Sequence, residues 1–277
     1  MILVTGVTGR LRPVVDELLA RGLEVSVTAR DPDAPHAREL VGRGALLVRA
    51  DLEDRASLRR AARGADVVLA AGAPHRAGAE GEARHGINVA EAAAGAGAGH
   101  LVFFSGDGAE RPTGVPVLDA KHAVEQRIRK LSLAHTILAP VYFMENAFNP
   151  WNRQALAAGR FPLALPADRP LQQLAIEDLA AVAATVARRP GAFAGERIAL
   201  ASDELTGTEA AAALTRATSR AFAFQEVPRD GLPDGMRLLF EWLERVGHRV
   251  DLPALRRRFP DVGWQRFERW AATRAWP

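Results

Sequence analysis

Gly6 and Gly9 stand three residues apart, directly after the apolar run Ile2-Leu3-Val4 and before a helical stripe of Val14, Val15, Leu18 and Leu19. A strand ending in such a turn and opening a helix offers backbone N–H groups and a positive helix end to an anion. Its chemistry is pyrophosphate binding, with Thr5, Gly6, Thr8, Gly9, Arg10 and Leu11 forming the turn. A third glycine would ordinarily complete the pattern where Arg12 stands, followed by Pro13. Arg12 reads two ways: it obstructs the pyrophosphate, or its guanidinium reaches it with a charge-assisted bond. Arg30 closes the next alternating segment, Leu23 to Arg30, where the ribose of a bound dinucleotide lies. A cation there favours a 2′-phosphate; the alternative is a solvent-exposed arginine in an arginine-rich chain.

Two further groups can handle protons. Ser105 ends the apolar run from Leu101, so its hydroxyl either donates to a substrate oxygen or serves the turn. Tyr142, the single tyrosine, offers a phenol as donor or packs as an aromatic ring. The histidines show no H-E-x-x-H or similar ligand spacing, so no metal site is expected, and no G-x-S-x-G elbow supports a serine hydrolase. Cysteine is absent, which excludes disulfides and thiolate catalysis.

The elements that must position these groups alternate. Strands read at 2–4, 23–30, 45–50, 67–71, 101–105 and 136–139, with helices after each of the first five, including 81–98 and 117–131. This is an α/β, Rossmann-type doubly wound parallel sheet, which binds ligands at the carboxyl ends of its strands. Gly6, Arg30, Asp51, Ala71, Ser105 and Pro140 fall at such ends and should line one crevice. Beyond Pro140 the alternation loosens. Tyr142, Phe143, Phe148, Trp151 and Phe161 gather among Pro and Gly, either shaping a pocket or packing a core, and helices at 177–187, 207–218, 236–246, 254–258 and 263–273 follow. The chain thus reads as one NAD(P)-binding domain over 1–277, with a Rossmann core at about 1–150 and a smaller C-terminal substrate lobe at about 141–277.

At 277 residues the chain has room for that domain, and no Ser/Gly-rich linker divides it. Its isoelectric point is near 10.1, yet the net charge is only +3. Arginine titrates so far above neutrality that a small excess lifts the isoelectric point, so a nucleic-acid partner does not follow. The first strand starts at residue 2 and no apolar run reaches spanning length, so a soluble cytoplasmic protein away from membranes is expected.

Together these segments resemble the NmrA-like branch of the atypical short-chain dehydrogenases/reductases. The resemblance rests on Leu3-Val4-Thr5-Gly6-Val7-Thr8-Gly9, Arg30-Asp31-Pro32, Asp51-Leu52, Ser105, Lys121 followed by Val124-Glu125, Thr136 to Pro140, Phe143-Met144-Glu145-Asn146, and Val250 to Arg256. It implies NADP(H) or NAD(H) binding, and either reduction of quinones or other unsaturated small molecules or non-enzymatic sensing of the cofactor. It implies that Arg30 faces the 2′-phosphate, selecting NADP(H), and that Asp51 and Leu52 flank the adenine, although Asp51 or the Glu53-Asp54 pair also suits a helix N-cap. Lys121 would hold the nicotinamide ribose; as a bare helix-face cation it would instead contribute little to folding. Lys121 and Lys130 are the only lysines of the chain. Four residues before Lys121, where typical short-chain reductases carry a catalytic tyrosine, stands Val117. The expected cofactor contacts are therefore Thr5, Gly6, Thr8, Gly9, Arg10, Leu11, Arg12, Arg30, Asp51, Leu52, Ala71, Lys121, Pro140 and Phe143, and the expected catalytic set is Lys121, Ser105 and Tyr142. A protein that has lost the cofactor altogether would explain Arg12 most directly.

Overall fold

Short runs of β-branched and aliphatic residues build the central sheet, whose inner strands are buried on both faces. Its strands are β1 (Ile2–Val4), β2 (Val25–Ala29), β3 (Leu46–Arg49), β4 (Val67–Ala70), β5 (His100–Phe104) and β6 (His135–Pro140). The computed structural model describes residues 1–6, 11–70 and 74–277, without the side chains of 74–77. The expectations for Thr8, Gly9, Arg10 and Ala71 lie outside those residues. The chain divides into two compact units, Met1–Ala139 with Leu179–Ala199, and Pro140–Asp178 with Leu200–Pro277.

In the first unit the helices are α1 (Arg12–Ala20), α2 (Pro35–Gly42), α3 (Arg55–Ala61), α4 (Pro74–Ala96) and α5 (Pro116–Ile128). The sheet order is β3-β2-β1-β4-β5-β6 with parallel pairing throughout, and a late strand, β10 (Arg197–Leu200), lies beside β6. The order reverses between β1 and β4, the switch point of a doubly wound sheet. Leu58 of α3, Val89 and Ala93 of α4, and Val124 and Ile128 of α5 pack with Leu3, Val68, Leu101 and Phe103 into one buried cluster. Gly86 allows the close approach of α4 to α5, since a Cβ there would lie 2.7 Å from Val124 Cγ2. Near its start α4 breaks at Gly78, whose φ of 63° only glycine adopts freely.

The second unit begins with β7 (Tyr142–Phe143) and α6 (Arg153–Ala157), continues with β8 (Arg160–Leu163), β9 (Leu171–Leu174) and the first turn of α7 (Ile176–Arg188), whose remainder belongs to the first unit, and resumes after β10. There follow β11 (Asp203–Leu205), α8 (Gly207–Thr218), β12 (Ala223–Glu226), α9 (Asp234–Arg245), α10 (Leu252–Arg258) and α11 (Phe267–Ala272). Its strands form a three-stranded sheet, β11-β9-β7, and a two-stranded one, β12-β8. Its core gathers Met144, Leu156, Phe161, Leu214, Phe267 and Trp270. None of the strands after β6 was legible in the sequence pattern. They are two to four residues long, and β9 buries Gln172 and Gln173 where apolar side chains were the signal. Gln172 is satisfied by both the N–H and the C=O of Val250. The last helix also starts later than the pattern predicts, because Trp264 is still in the preceding loop, its indole N–H donating to Phe259 O.

Candidate functional site at the strand ends

In the first unit, β1, β2, β3 and β5 each end at residues of the candidate site. After β1, Thr5 is fully buried and its N–H donates to Leu69 O at 2.9 Å, which fixes the turn against β4. Gly6 takes φ 69°, a left-handed conformation that a side chain would strain. α1 starts at Arg12, with Leu11 at its N-cap, Pro13 in its first turn, no capping side chain and no acidic residue in that turn. Its end thus keeps its positive character for an anion.

Arg12 pairs with a carboxylate of the chain itself. Nη1 donates to Glu39 Oε2 at 2.8 Å and Nη2 lies 2.7 Å from Oε1, a bidentate grip that ties the start of α1 to α2. Arg43 completes a ring of alternating charge, 2.7 Å from Asp16 and 3.5 Å from Glu39. The guanidinium that replaces glycine is therefore drawn sideways by a carboxylate 27 residues on.

Arg30, after β2, is exposed and has no ion-pair partner among the described residues. After β3, the N-cap of α3 is Asp54, whose Oδ1 accepts from Ala56 and Ser57 N–H. Asp51 is not that cap; its Oδ1 accepts from Glu53 N–H at 3.0 Å in a local turn. Leu52 is half-buried against the cluster under α3 and α4. Glu53 is clamped by Arg84 and His85, whose hydrogen bonds hold its carboxyl at about 2.

Ser105, after β5, is buried, and its Oγ donates to Glu125 Oε1 at 2.5 Å. Glu125 is fully buried yet charge-balanced: Arg129 reaches it at 2.7 Å and Arg197 at 3.2 Å, and Arg197 also donates to Gly106 O. In this geometry the serine proton belongs to Glu125, which leaves the hydroxyl as an acceptor. Lys121, on α5, comes to the same strand end, because its Cδ lies 3.3 Å from where a Cβ on Gly106 would stand. It is not a bare surface cation. Its Nζ donates to Glu82 Oε1 of α4 at 2.6 Å, and the two side chains are only 17% and 4% exposed. Removing the ammonium alone would strand a buried carboxylate, at a cost of about 3 to 5 kcal/mol. Val117 is half-buried on the same helix. Among the described residues no cluster of His, Asp and Glu could hold a metal, and no helix is long and apolar enough to cross a membrane.

In the second unit, Pro140 is buried at the end of β6, and Tyr142 and Phe143 are half-buried in β7. Tyr142 packs on Phe240 with ring centroids 6.1 Å apart. Phe161 and Phe148 join one core group through Phe267 and Trp270, with Phe148 also packing on Trp276, whereas Trp151 is 60% exposed. Glu82 and Arg197 escaped sequence reasoning, since each acts on a partner tens of residues away and sits in a stretch rich in like residues.

The model of the NmrA-like family matches residues 1–250. A (4-alkanoyl-5-oxo-2,5-dihydrofuran-3-yl)methyl phosphate reductase of Streptomyces griseus is 34% identical over 233 residues, which are 83% of this chain and 78% of that one. Among solved structures, the NADPH-dependent quinone oxidoreductase of Escherichia coli in complex with NADPH has a TM-score of 0.83 at 23% identity, covering 98% of this chain and 99% of that one. NmrA, a negative transcriptional regulator solved with NADP, has a TM-score of 0.78 at 20% identity, covering 98% and 94%. The glycine turn, the strand order and the match over nine-tenths of the sequence agree, and the chain belongs to the NmrA-like family.

Proposed function

We propose that the protein is an NADP(H)-dependent reductase of an apolar small molecule, aromatic or quinonoid in character. The observation that carries the reading is Arg30, an exposed guanidinium after β2 with no ion-pair partner among the described residues, on the strand adjoining the Gly6 turn. A site so equipped fits a 2′-phosphate and a pyrophosphate together. The identity to a curated reductase and the NADPH-bound fold neighbour support the same reading.

When bound, NADPH supplies the hydride. The chain's own part is binding, orientation and charge. Gly6 and the uncapped start of α1 receive the pyrophosphate; Arg30 takes the 2′-phosphate; Asp51 keeps Oδ2 for the adenine amino group, and Leu52 lies beside the base. Lys121 gives one N–H to Glu82 and keeps the others for the nicotinamide ribose or for negative charge growing on a substrate oxygen. Ser105, whose proton goes to Glu125, accepts rather than donates. This suits a quinone, since a hydroquinone anion is a far more stable product than an alkoxide and draws its proton from water. Tyr142 remains the one phenol the chain can offer.

Calorimetric titration with NADPH and NADH tests the reading. Arg30→Ala should weaken NADPH by about 1.5 to 3 kcal/mol and leave NADH nearly unchanged, the scale of one charge-assisted bond. Equal losses for both cofactors would refute it. A cofactor-sensing regulator is the second reading, favoured by Val117 in the tyrosine position together with the committed Ser105 proton. NADPH binding without NADPH oxidation across a panel of quinones would select it.

A further inference from the structure

We propose that Glu82 is a positioning residue of the site, holding the Lys121 ammonium in place at the end of β5, so that the two act as one unit. The inference rests on the reductase reading and adds to it a residue with no recognisable sequence motif. Glu82 Oε1 takes a Lys121 N–H at 2.6 Å, while Oε2 is buried with no hydrogen-bond partner. A carboxylate 4% exposed and satisfied on one oxygen alone is costly to keep charged. Lys121 is its sole ionic partner among the described residues, so neutralising either member leaves the other unbalanced.

The backbone is built to bring the pair together. Gly86 lies one turn after Glu82 on α4, Val124 nearly one turn after Lys121 on α5, and the helices touch there with no room for a Cβ. On its other side the lysine stem runs along Gly106, directly after Ser105. A flexible four-carbon side chain is thereby fixed from two directions, which spares the rotamer entropy that an unsupported lysine loses on meeting a ligand. Ser105 and Glu125 form a separate ionic group with Arg129 and Arg197, so they do not substitute for Glu82 in holding the ammonium.

The experiment compares wild type, Glu82→Gln, Lys121→Met and the double variant. Urea unfolding of the free proteins, NADPH calorimetry, and steady-state NADPH oxidation with 1,4-naphthoquinone are read on all four. In unfolding, the double variant should be more stable than Lys121→Met, because the second change removes the stranded carboxylate. In turnover, Glu82→Gln should lower kcat about 10- to 100-fold, as misplacement of a reacting group does, with the quinone KM within about twofold. In the Lys121→Met background the same change should lower kcat no further. An equal loss in both backgrounds would show that Glu82 acts on the fold rather than through Lys121, and a kcat for Glu82→Gln within about twofold of wild type would overturn the inference as directly. Both outcomes leave the reductase reading standing if wild type binds NADPH and turns over. A wild type that binds no NADPH overturns that reading and this inference together.

Discussion

Replacing Arg12 by glycine restores the residue that the phosphate-binding pattern lacks, and the structure predicts a small stability loss with almost no change in cofactor affinity. The guanidinium spends two N–H groups on Glu39. Both side chains keep a third to a half of their surface in water, so the pair contributes about 0.2 to 1 kcal/mol. Glycine in the first helical turn adds no more than about 1 kcal/mol. The sum, at most about 2 kcal/mol, moves a urea midpoint by about a molar or less at the usual dependence on denaturant. Glu39→Gln should reproduce the ion-pair part in wild type, together with the longer Arg43 contact, and lose most of its effect beside Arg12→Gly. NADPH affinity, titrated by calorimetry at low and high salt, should stay within about threefold, or ~0.7 kcal/mol, with its salt dependence unchanged. A tenfold weakening with a shallower salt slope would mean that the guanidinium leaves Glu39 for the pyrophosphate. A tenfold strengthening would mean that it stands in the way, and either result refutes the sideways placement.

Gly86→Ala should cost about 1 to 3 kcal/mol in urea unfolding, because the new methyl meets fully buried Val124, and most of the loss should disappear beside Val124→Ala. If Val124→Ala gave no relief, the α4–α5 contact would not be the cause. Burial lifts the Asp178 carboxyl from 3.8 to about 6, against hydrogen bonds from Ser202 and the Gln265 N–H that favour its charged form. The native protein then holds more protons than the unfolded chain between those values, so this stability is fully present below about pH 4 and is lost as pH rises through about 6, up to roughly 3 kcal/mol. Asp178→Asn should flatten the unfolding midpoint across that window; an unchanged slope would assign the pH dependence to another group.

The parallel sheet was readable because its inner strands are buried on both faces and its helices carry an apolar stripe, so period and order appear directly in the residues. The need for glycine at position 6 was readable for a related reason. Gly6 needs φ 69°, and that requirement is local. Legibility fails where a residue's role is set by a partner far along the chain. Arg12 faced two alternatives as long as Glu39, 27 residues on, was out of view. The strands of the second unit are too short to show a period, and Gln172 reads as surface until Val250 satisfies it, 78 residues later. Asp51 and Asp54 are equivalent caps by composition, and the backbone N–H groups each accepts decide between them.

The same limit reshapes the chemistry assigned to the end of β5. Taken one at a time, Ser105 is a donor and Lys121 a solvated cation. Glu125 and Glu82 reverse both roles, because a buried carboxylate takes the nearest proton donor to offset its desolvation. Glu125 already has two arginines and still draws the serine proton; Glu82 has one lysine and an oxygen to spare. The serine is thereby turned into an acceptor, while the lysine retains N–H groups beyond the one it gives to Glu82. Within the first unit, the group at this strand end that still has N–H groups to offer is therefore the Lys121 ammonium.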